Sequence, residues 1–246
     1  MKADHFEQQK LLALADEDVA LTQLAHRKRT LPEVAAVEAA ATSEQTFAEA
    51  EVRADTEVRD LDREQKRLEG DVETVRARAT RDQGLLDSGS VSAKQMTDLQ
   101  HEMQSLARRQ SDLEDQELEL MEQLETAEAA LAEAQEGQET VRAELERAQQ
   151  LRDDALADIA DGTAQHEAAR TEAAARIPAD LLALYERIRT QTGGTGAAVL
   201  RSRQCQGCRL ELFGRELAAV RNADPHEVVR CDNCGRILVR TAESGL

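Results

Sequence analysis

The sequence predicts a mainly α protein: a long antiparallel coiled-coil hairpin followed by a small C-terminal β domain. Aromatic residues make up 2% of the chain and charged residues 33%, which is typical of long helices that bury a narrow stripe. Apolar residues recur at alternating spacings of four and three over long stretches, as in coiled coils. All four cysteines lie near the C-terminus, in two Cys-x-x-Cys pairs.

The first helix is predicted over residues 1–30, with its leucines among polar neighbours. A proline is tolerated in the first turn of a helix and is costly inside one. Pro32 therefore predicts a kink near Leu31, with Thr30 as a possible N-cap of the next helix. The apolar residues of the first helix are Leu11, Leu14, Leu21 and Leu24.

The second helix is predicted from Val37 to about Arg81, and a turn follows it. The glycine- and serine-rich residues 84–91 interrupt the helical pattern and predict the tip of a hairpin. Ser92 and Gln95 then fit a capping box, which opens a new helix. The second helix has a heptad seam of Ala54, Val58, Leu61, Gln65, Leu68, Val72, Val75 and Ala79.

The third helix contains the strongest periodic pattern of the chain. Steps of four and three from Leu99 to Ile159 meet eighteen positions, of which fourteen are apolar. A pattern sustained over so many heptads indicates a coiled coil. The positions are Leu99, Met103, Leu106, Gln110, Leu113, Glu117, Leu120, Leu124, Ala127, Leu131, Ala134, Gln138, Val141, Leu145, Ala148, Arg152, Ala155 and Ile159.

The two helical arms have matching lengths. Folding the chain at residue 88 places Met1 opposite residue 175, so residues 1–176 are predicted to form one hairpin with its tip at about 84–91. Residues 177–196 are expected to hold a short helix, from Pro178 to Thr190, and a flexible glycine-rich joint. Residues 197–246 form the predicted third region. Leu181, Leu184 and Ile188 of the short helix are expected to supply apolar anchors beside it.

The two cysteine pairs predict a metal site. Cys205 and Cys208 are separated by 22 residues from Cys231 and Cys234. Four thiolates at this spacing can hold one structural zinc ion per chain, and strand-like runs at 197–200, 227–230 and 237–239 complete the pattern of a zinc ribbon. A short helix is predicted between the pairs, at residues 213–222. Two redox dithiols or two disulfides are the alternative, although no βαβ context surrounds them.

Glycines are expected to shape both cysteine turns. Gly207 lies inside the first pair and Gly235 directly follows the second. We expect each to adopt the positive φ that lets main-chain N–H groups face a thiolate.

The sequence resembles bacterial four-cysteine zinc ribbon proteins with a long N-terminal helical hairpin. The resemblance covers the whole chain, and its specific part is C-Q-G-C-R-L-E-L at 205–212 and V-R-C-D-N-C-G-R-I-L at 229–238. It implies the fold, the zinc and a role in binding nucleic acid or protein. Some members are associated with regulation of flagellar genes, a role that no residue of this chain indicates.

The residues favour a binding protein over an enzyme. Four cysteines fill a tetrahedral shell, whereas a catalytic zinc keeps one position open. His226 is near the cysteines in sequence but is expected to be a surface residue. No phosphate-binding loop occurs, and no small-molecule substrate is expected. The chain lacks a long apolar run and an apolar leader, so we predict a cytoplasmic protein without membrane contact.

The charge distribution bears on the partner. The chain has a net charge of −18, yet residues 197–246 hold eight arginines against six acidic residues. Arginine suits phosphate contact, but a four-thiolate zinc offsets the local excess and Phe213 is the only aromatic residue there to stack on bases. A nucleic-acid-binding regulator, for RNA or DNA, is one hypothesis; a protein-interaction adaptor or chaperone is the alternative, and a spacer without ligand is a third. The proposed partner contacts are Arg201, Arg203, Arg209, Arg230 and Arg236.

Overall fold

The computed structural model describes all residues from Met1 to Leu246. Five helices and three short strands follow one another along the chain. No helix among them is both long enough and apolar enough to cross a membrane. The elements are α1 (His5–Arg29), α2 (Pro32–Asp87), α3 (Ala93–Ala175), α4 (Ala179–Thr192), β1 (Ala197–Arg201), β2 (Gln204–Cys205), α5 (Gly214–Asn222) and β3 (Ile237–Val239).

The predicted coiled-coil seam is confirmed. Each of the eighteen heptad positions between Leu99 and Ile159 is buried or half-buried, and the charged residues between them are mostly exposed. This is the pattern expected when only the a and d positions face a partner helix. The helical hairpin of the predicted fold class is therefore present.

Two compact units share the chain, and the first of them comprises residues Ala35–Gln149. In it, α2 and α3 run antiparallel around a core of Leu68, Val72, Leu113 and Leu120. Cross-helix ion pairs flank this core, such as Arg76 Nη2 to Glu114 Oε1 at 2.9 Å and Arg78 Nη2 to Glu102 Oε1 at 2.7 Å. Gly137 lies where a Cβ would be 2.2 Å from the ring of Phe47, so a glycine is required there.

The ends of the helices follow local capping chemistry. The Ser92 N–H donates to Gln95 Oε1 (2.9 Å), and the Gln95 N–H donates to Ser92 Oγ (3.4 Å), which confirms the capping box. The expectation that Thr30 is the N-cap of α2 is wrong. Both its N–H and its hydroxyl donate to the His26 carbonyl, so that it ends α1, while Pro32 begins α2.

The second unit combines Met1–Val34 with Gln150–Leu246. Its core joins α1, α4 and the sheet through Leu11, Leu14, Leu181, Tyr185 and Ile188. Lys10 Nζ donates to the carbonyl of Arg176 at 3.3 Å, so the N-terminus extends beyond the predicted pairing of Met1 with residue 175. Met1 and Ala3 instead make main-chain hydrogen bonds with Val228 and His226.

A buried ionic cluster holds the helices of this unit together. The Asp18 side chain is fully buried and accepts hydrogen bonds from Tyr185 Oη (2.6 Å) and Arg170 Nε (2.8 Å), and Arg189 Nε lies 2.8 Å away. Burial and the Asp18 carboxylate raise the pKa of Tyr185 far above its ordinary value. Since a buried charge needs partners, this cluster fixes how α1 meets α3 and α4.

Two expectations for residues 177–196 are wrong. Leu181 and Ile188 are fully buried in the core with α1, because the α1 leucines need a partner surface, and they are not exposed anchors. The glycine-rich stretch is not a free joint either. Gly196 is buried so closely that a Cβ would be 2.3 Å from the Tyr185 carbonyl oxygen, and Arg236 Nε donates to the Thr195 carbonyl at 3.1 Å.

The C-terminal sheet has the strand order β2-β1-β3, with β1 antiparallel to β2 and parallel to β3. Side chains alternate across β3: Ile237 and Val239 face the helical core, while Leu238 packs among the cysteines. The strand predicted at 227–230 is reduced to single bridges. The cause is Arg240, a buried residue whose guanidinium binds the carbonyls of Ala223, Asp224, Pro225 and Glu227 and curls this segment.

Candidate metal centre

The first cysteine turn is built by main-chain hydrogen bonds. The Arg209 N–H donates to the Cys205 carbonyl at 2.7 Å, and the Cys205 N–H donates to the Leu210 carbonyl at 3.0 Å. Arg209 has φ +61°. Main-chain N–H groups of Gly207 and Cys208 point at the Cys205 sulfur, as a metal-bound thiolate requires.

The second cysteine turn repeats this arrangement residue for residue. The Gly235 N–H donates to the Cys231 carbonyl at 2.8 Å, and the Cys231 N–H donates to the Arg236 carbonyl at 2.9 Å. Gly235 has φ +74°. Main-chain N–H groups of Asn233 and Cys234 point at the Cys231 sulfur. We name the two turns, residues 204–210 and 230–236, the first and the second knuckle.

The expectation for Gly207 is wrong, since its φ is not positive. The residue with positive φ in the first knuckle is Arg209. Gly207 is needed for another reason: a Cβ there would lie 2.7 Å from Arg236 Cδ and 3.0 Å from Ala198 Cβ. The expectation for Gly235 agrees with its φ.

The four cysteines fit one zinc ion. The Sγ atoms of Cys205 and Cys234 are 3.8 Å apart, those of Cys208 and Cys231 are 3.9 Å apart, and all four lie within 4.8 Å of one another. A tetrahedral zinc with Zn–S bonds of about 2.3 Å separates its sulfurs by about 3.8 Å. No disulfide joins the four thiols.

The surroundings of the cysteine thiols shift their pKa values in different directions. Burial raises the pKa of Cys205 to about 12 and also raises the pKa of Cys231. Burial acts in the same direction on Cys234, but hydrogen bonds from the main chain and the side chain of Arg236 lower its pKa. The buried thiols are therefore protonated at neutral pH without metal, and a zinc ion has to displace their protons when it binds.

The five arginines proposed as partner contacts have different surroundings. Arg201 Nε pairs with Glu243 (2.8 Å), and Arg203 Nε donates to the Gly245 carbonyl (3.1 Å). Arg230 Nε donates to the Gly235 carbonyl (2.7 Å), and Arg236 is held by Thr195. Arg209 is exposed, and its side chain makes no hydrogen bond or ion pair within the chain.

Arg203 and Arg209 both have positive φ, +64° and +61°, but only Arg209 has a side chain without a partner in the chain. A non-glycine residue in the left-handed region costs about 1–2 kcal/mol relative to the right-handed one. The equivalent residue of the second knuckle is a glycine, which adopts this conformation freely. Arg209 thus combines a strained main-chain conformation with an exposed side chain that no other group of the protein holds.

Exposed apolar side chains follow Arg209 closely in the sequence of the ribbon. Leu210 is 51% exposed and Phe213 is 68% exposed, whereas Leu212 between them is fully buried under the zinc site. The Leu212 N–H donates to the Arg203 carbonyl (2.8 Å), which brings the residues before and after the first knuckle together. We call Arg203, Arg209, Leu210 and Phe213 the knuckle face.

The sequence predicts only part of the knuckle face. Arg203 and Arg209 are among the proposed contacts, whereas Leu210 is not, and Phe213 enters only as a lone aromatic residue. The clue was available from aligning the two cysteine pairs, which sets Arg209 against Gly235. His226 is exposed, and its Nδ1 atom lies 3.7 Å from Asp4 Oδ2. It is not part of the metal-binding cluster, which consists of the four cysteine sulfurs.

Comparison with protein families agrees with this architecture. The model of the CT398-like coiled coil hairpin domain matches residues 14–193, and that of the C4-type zinc ribbon domain matches residues 204–238. The chain belongs to the CT398-like family. Its ribbon is accordingly a C4-type zinc ribbon for one zinc ion, with the sulfurs of Cys205, Cys208, Cys231 and Cys234 as the available ligands.

Relatives of this CT398-like protein occur in mycobacteria. An uncharacterised protein of Mycobacterium tuberculosis is 40% identical over 240 residues, which is 98% of each chain. A solved structure from Mycobacterium smegmatis is 35% identical with a TM-score of 0.84, and the match covers 98% of this chain and 100% of the other. CT398 of Chlamydia trachomatis, at 19% identity and a TM-score of 0.63 over 96% and 98% of the two chains, shares the fold.

Proposed function

We propose that the protein is a non-enzymatic, cytoplasmic regulator that binds single-stranded nucleic acid, RNA or DNA, through the knuckle face of its zinc ribbon. The observation that carries this proposal is Arg209, an exposed and unpartnered arginine held at φ +61°. An arginine with free donors is suited to a phosphate. The zinc would act structurally, by holding the first knuckle so that Arg209 projects from it.

Phe213 and Leu210 support the choice of a single strand over a duplex. An exposed aromatic ring provides a surface on which an unpaired base can stack, and each such stack contributes about 1–3 kcal/mol. Phe213 has no other aromatic residue near it in sequence, so one base per ribbon is the expected limit. The acidic remainder of the chain would repel phosphates, which confines binding to the ribbon.

The test compares two arginine variants for binding to a fluorescein-labelled single-stranded 20-mer, as RNA and as DNA, by fluorescence anisotropy. Arg209→Gly removes the charge and also relieves the backbone, so the ribbon stays folded. We expect the affinity to fall about tenfold. The number of phosphate contacts, deduced from the slope of log affinity against log salt concentration, should fall by about one. Arg221→Ala, an exposed arginine at the end of α5 outside the knuckle face, is the control and should bind as the parent protein does.

A protein-interaction adaptor or chaperone is the second candidate, because Leu210 and Phe213 also suit a protein client. Apolar anchors beside arginine are the usual centre of a protein interface. Affinity that changes little between low and high salt, together with loss of client binding in Leu210→Ser, would favour this candidate. No affinity of the parent chain for either 20-mer, or equal affinity of Arg209→Gly and the parent, would refute the nucleic-acid proposal.

A further inference from the structure

A tight turn joins β1 to β2 and carries two of the five arginines proposed as partner contacts. The strands pair as far as Arg201 and Gln204, which leaves only Ser202 and Arg203 in the loop. Both loop residues have positive φ, +44° and +64°, as the two central residues of a type I′ hairpin turn require. Such turns favour Asn-Gly, so a serine and an arginine need additional support in this conformation.

The C-terminal segment of the ribbon supplies this support. The Ser202 N–H donates to the Glu243 carbonyl at 2.8 Å, and the Arg203 N–H donates to the Ser244 carbonyl at 2.8 Å. Ser244 is buried, and its hydroxyl donates to the Leu200 carbonyl at 2.9 Å. These hydrogen bonds fix the main chain of residues 243 and 244 beside the turn, within one compact unit of the protein.

The same segment also supplies acceptors to the two arginine side chains. Arg201 Nε donates to Glu243 Oε2 at 2.8 Å, and Arg203 Nε donates to the Gly245 carbonyl. The side chains of the Arg201–Glu243 ion pair are 59% and 63% exposed, and an ion pair so exposed contributes little to stability. Another anion can therefore replace the carboxylate. Because the main chain holds Glu243 in place, its carboxylate remains beside Arg201 as an intramolecular competitor.

Arg201 lies next to the first knuckle. Residues directly opposite each other in an antiparallel pair have side chains on the same face. Arg201 is opposite Gln204 in this way, and the side chain of Gln204 donates to the Arg209 carbonyl at 2.8 Å. Adjacent strands are about 4.8 Å apart, so a single strand of nucleic acid that contacts Arg209 extends far enough to reach Arg201.

We propose that Arg201 is a second phosphate contact of the nucleic-acid site, and that Glu243 occupies it in the free protein in place of a phosphate. This inference rests on the proposed function. Arginine uses the same N–H donors for carboxylates and for phosphates, so a phosphate has to displace the Glu243 carboxylate before it binds Arg201. Glu243 thus lowers the affinity of the site for nucleic acid, and Arg201 is engaged by strands that Arg209 already holds.

The experiment measures binding of the single-stranded RNA and DNA 20-mers to the zinc-loaded full chain by fluorescence anisotropy. Glu243→Gln removes the competing charge and should raise the affinity about three- to fivefold. The number of phosphate contacts, deduced from the slope of log affinity against log salt concentration, should rise by about one. Glu227→Gln is the matched control, because Glu227 is an exposed acidic residue of the ribbon whose side chain makes no hydrogen bond or ion pair. It should change the affinity less than twofold.

Two further measurements assign the effect to Arg201. Arg201→Ala alone should change the affinity less than twofold, since Glu243 already occupies this side chain, but combined with Glu243→Gln it should cancel the gain. In the absence of nucleic acid, the NMR signal of the Arg201 Nε–H group should shift in Glu243→Gln and stay unchanged in Glu227→Gln.

Four results would overturn the proposal. They are an Arg201 signal that does not respond to Glu243→Gln, an equal gain in affinity for Glu227→Gln, a gain that persists without Arg201, and no binding of either 20-mer in any variant. Failure of the knuckle-face proposal gives a different result. In that case Arg209→Gly binds as the parent does, while a gain in Glu243→Gln that requires Arg201 would still place a phosphate contact at the turn.

Discussion

The two knuckles of the ribbon are equal in their main-chain geometry and unequal in the side chains that occupy it. In each, the residue after the second cysteine has positive φ and donates its N–H to the carbonyl of the first cysteine. In each, the side chain before the first cysteine, Gln204 or Arg230, donates to the carbonyl of that positive-φ residue, at 2.8 and 2.7 Å. The two halves of the four-cysteine site therefore share one main-chain conformation.

The differences lie where the zinc imposes nothing. The left-handed position is Gly235 in the second knuckle and Arg209 in the first, while the position before the second cysteine is Asn233 in the second and Gly207 in the first. A glycine is the least strained choice at positive φ. The second knuckle thus follows the conformational requirement, and the first departs from it in favour of an exposed arginine. Metal binding explains the second knuckle completely but leaves the side chain of Arg209 unexplained.

The largest predicted effect tests whether both knuckles are equally necessary for zinc binding. Cys208→Ser and Cys234→Ser each remove one ligand and should both release the metal and unfold the ribbon, because structural zinc contributes about 10–16 kcal/mol of apparent binding free energy in small zinc domains. Elemental analysis of reduced protein and hydrogen exchange over residues 197–246 measure the two losses. Gln206→Ser, at the exposed position between the first two cysteines, is the control and should keep one zinc. Full zinc content in either cysteine variant would contradict the four-ligand site.

The next prediction sharpens the comparison at the left-handed position. Gly235→Ala puts a Cβ at φ +74°, 3.1 Å from Arg230 Nη2, and should lower the free energy of unfolding of the ribbon by about 1–2 kcal/mol. Arg209→Gly should have the opposite sign, with a gain of up to about 1 kcal/mol after the entropy of a glycine in the unfolded chain is subtracted. Zinc-loaded ribbon stability, measured by hydrogen exchange at increasing denaturant, gives both values. Destabilisation by Arg209→Gly would mean that Arg209 serves the fold after all.

The sequence predicted those parts of the fold that depend on local pattern. The heptad positions from Leu99 to Ile159, the Ser92–Gln95 capping box and the four cysteines each follow from spacing alone, because their physical cause lies within a few turns of the chain. The zinc site was predictable for the further reason that four thiolates have few other ways to be satisfied in one small domain.

The errors concern contacts between residues distant in the sequence. Leu181 and Ile188 form an apolar face, and only the position of α1 decides that this face is core and not a binding surface. The curl at 224–227 depends on Arg240, whose Nη1 and Nη2 donate to carbonyls that precede it by 13 residues or more. Such features require the three-dimensional neighbours of a residue, which periodicity does not supply.

The smallest predicted effect tests the second difference between the knuckles, which has Gly207 in the first and Asn233 in the second. Because a Cβ at Gly207 would be 2.7 Å from Arg236 Cδ, Gly207→Ala should displace the Arg236 side chain, whose Nε is otherwise bound to Thr195. A flexible side chain can move, so we expect a loss of about 1 kcal/mol in ribbon stability and not the loss of the zinc. Asn233→Ala, at the equivalent position, should change stability less, since that residue is exposed and its side chain makes no hydrogen bond. Zinc competition with a chromogenic chelator and hydrogen exchange at the Gln206 and Ile237 amides, which donate to the Val199 and Gly196 carbonyls, would measure the two variants. Equal effects at the two positions would show that Arg236 does not hold the first knuckle, and that the knuckles differ only at Arg209.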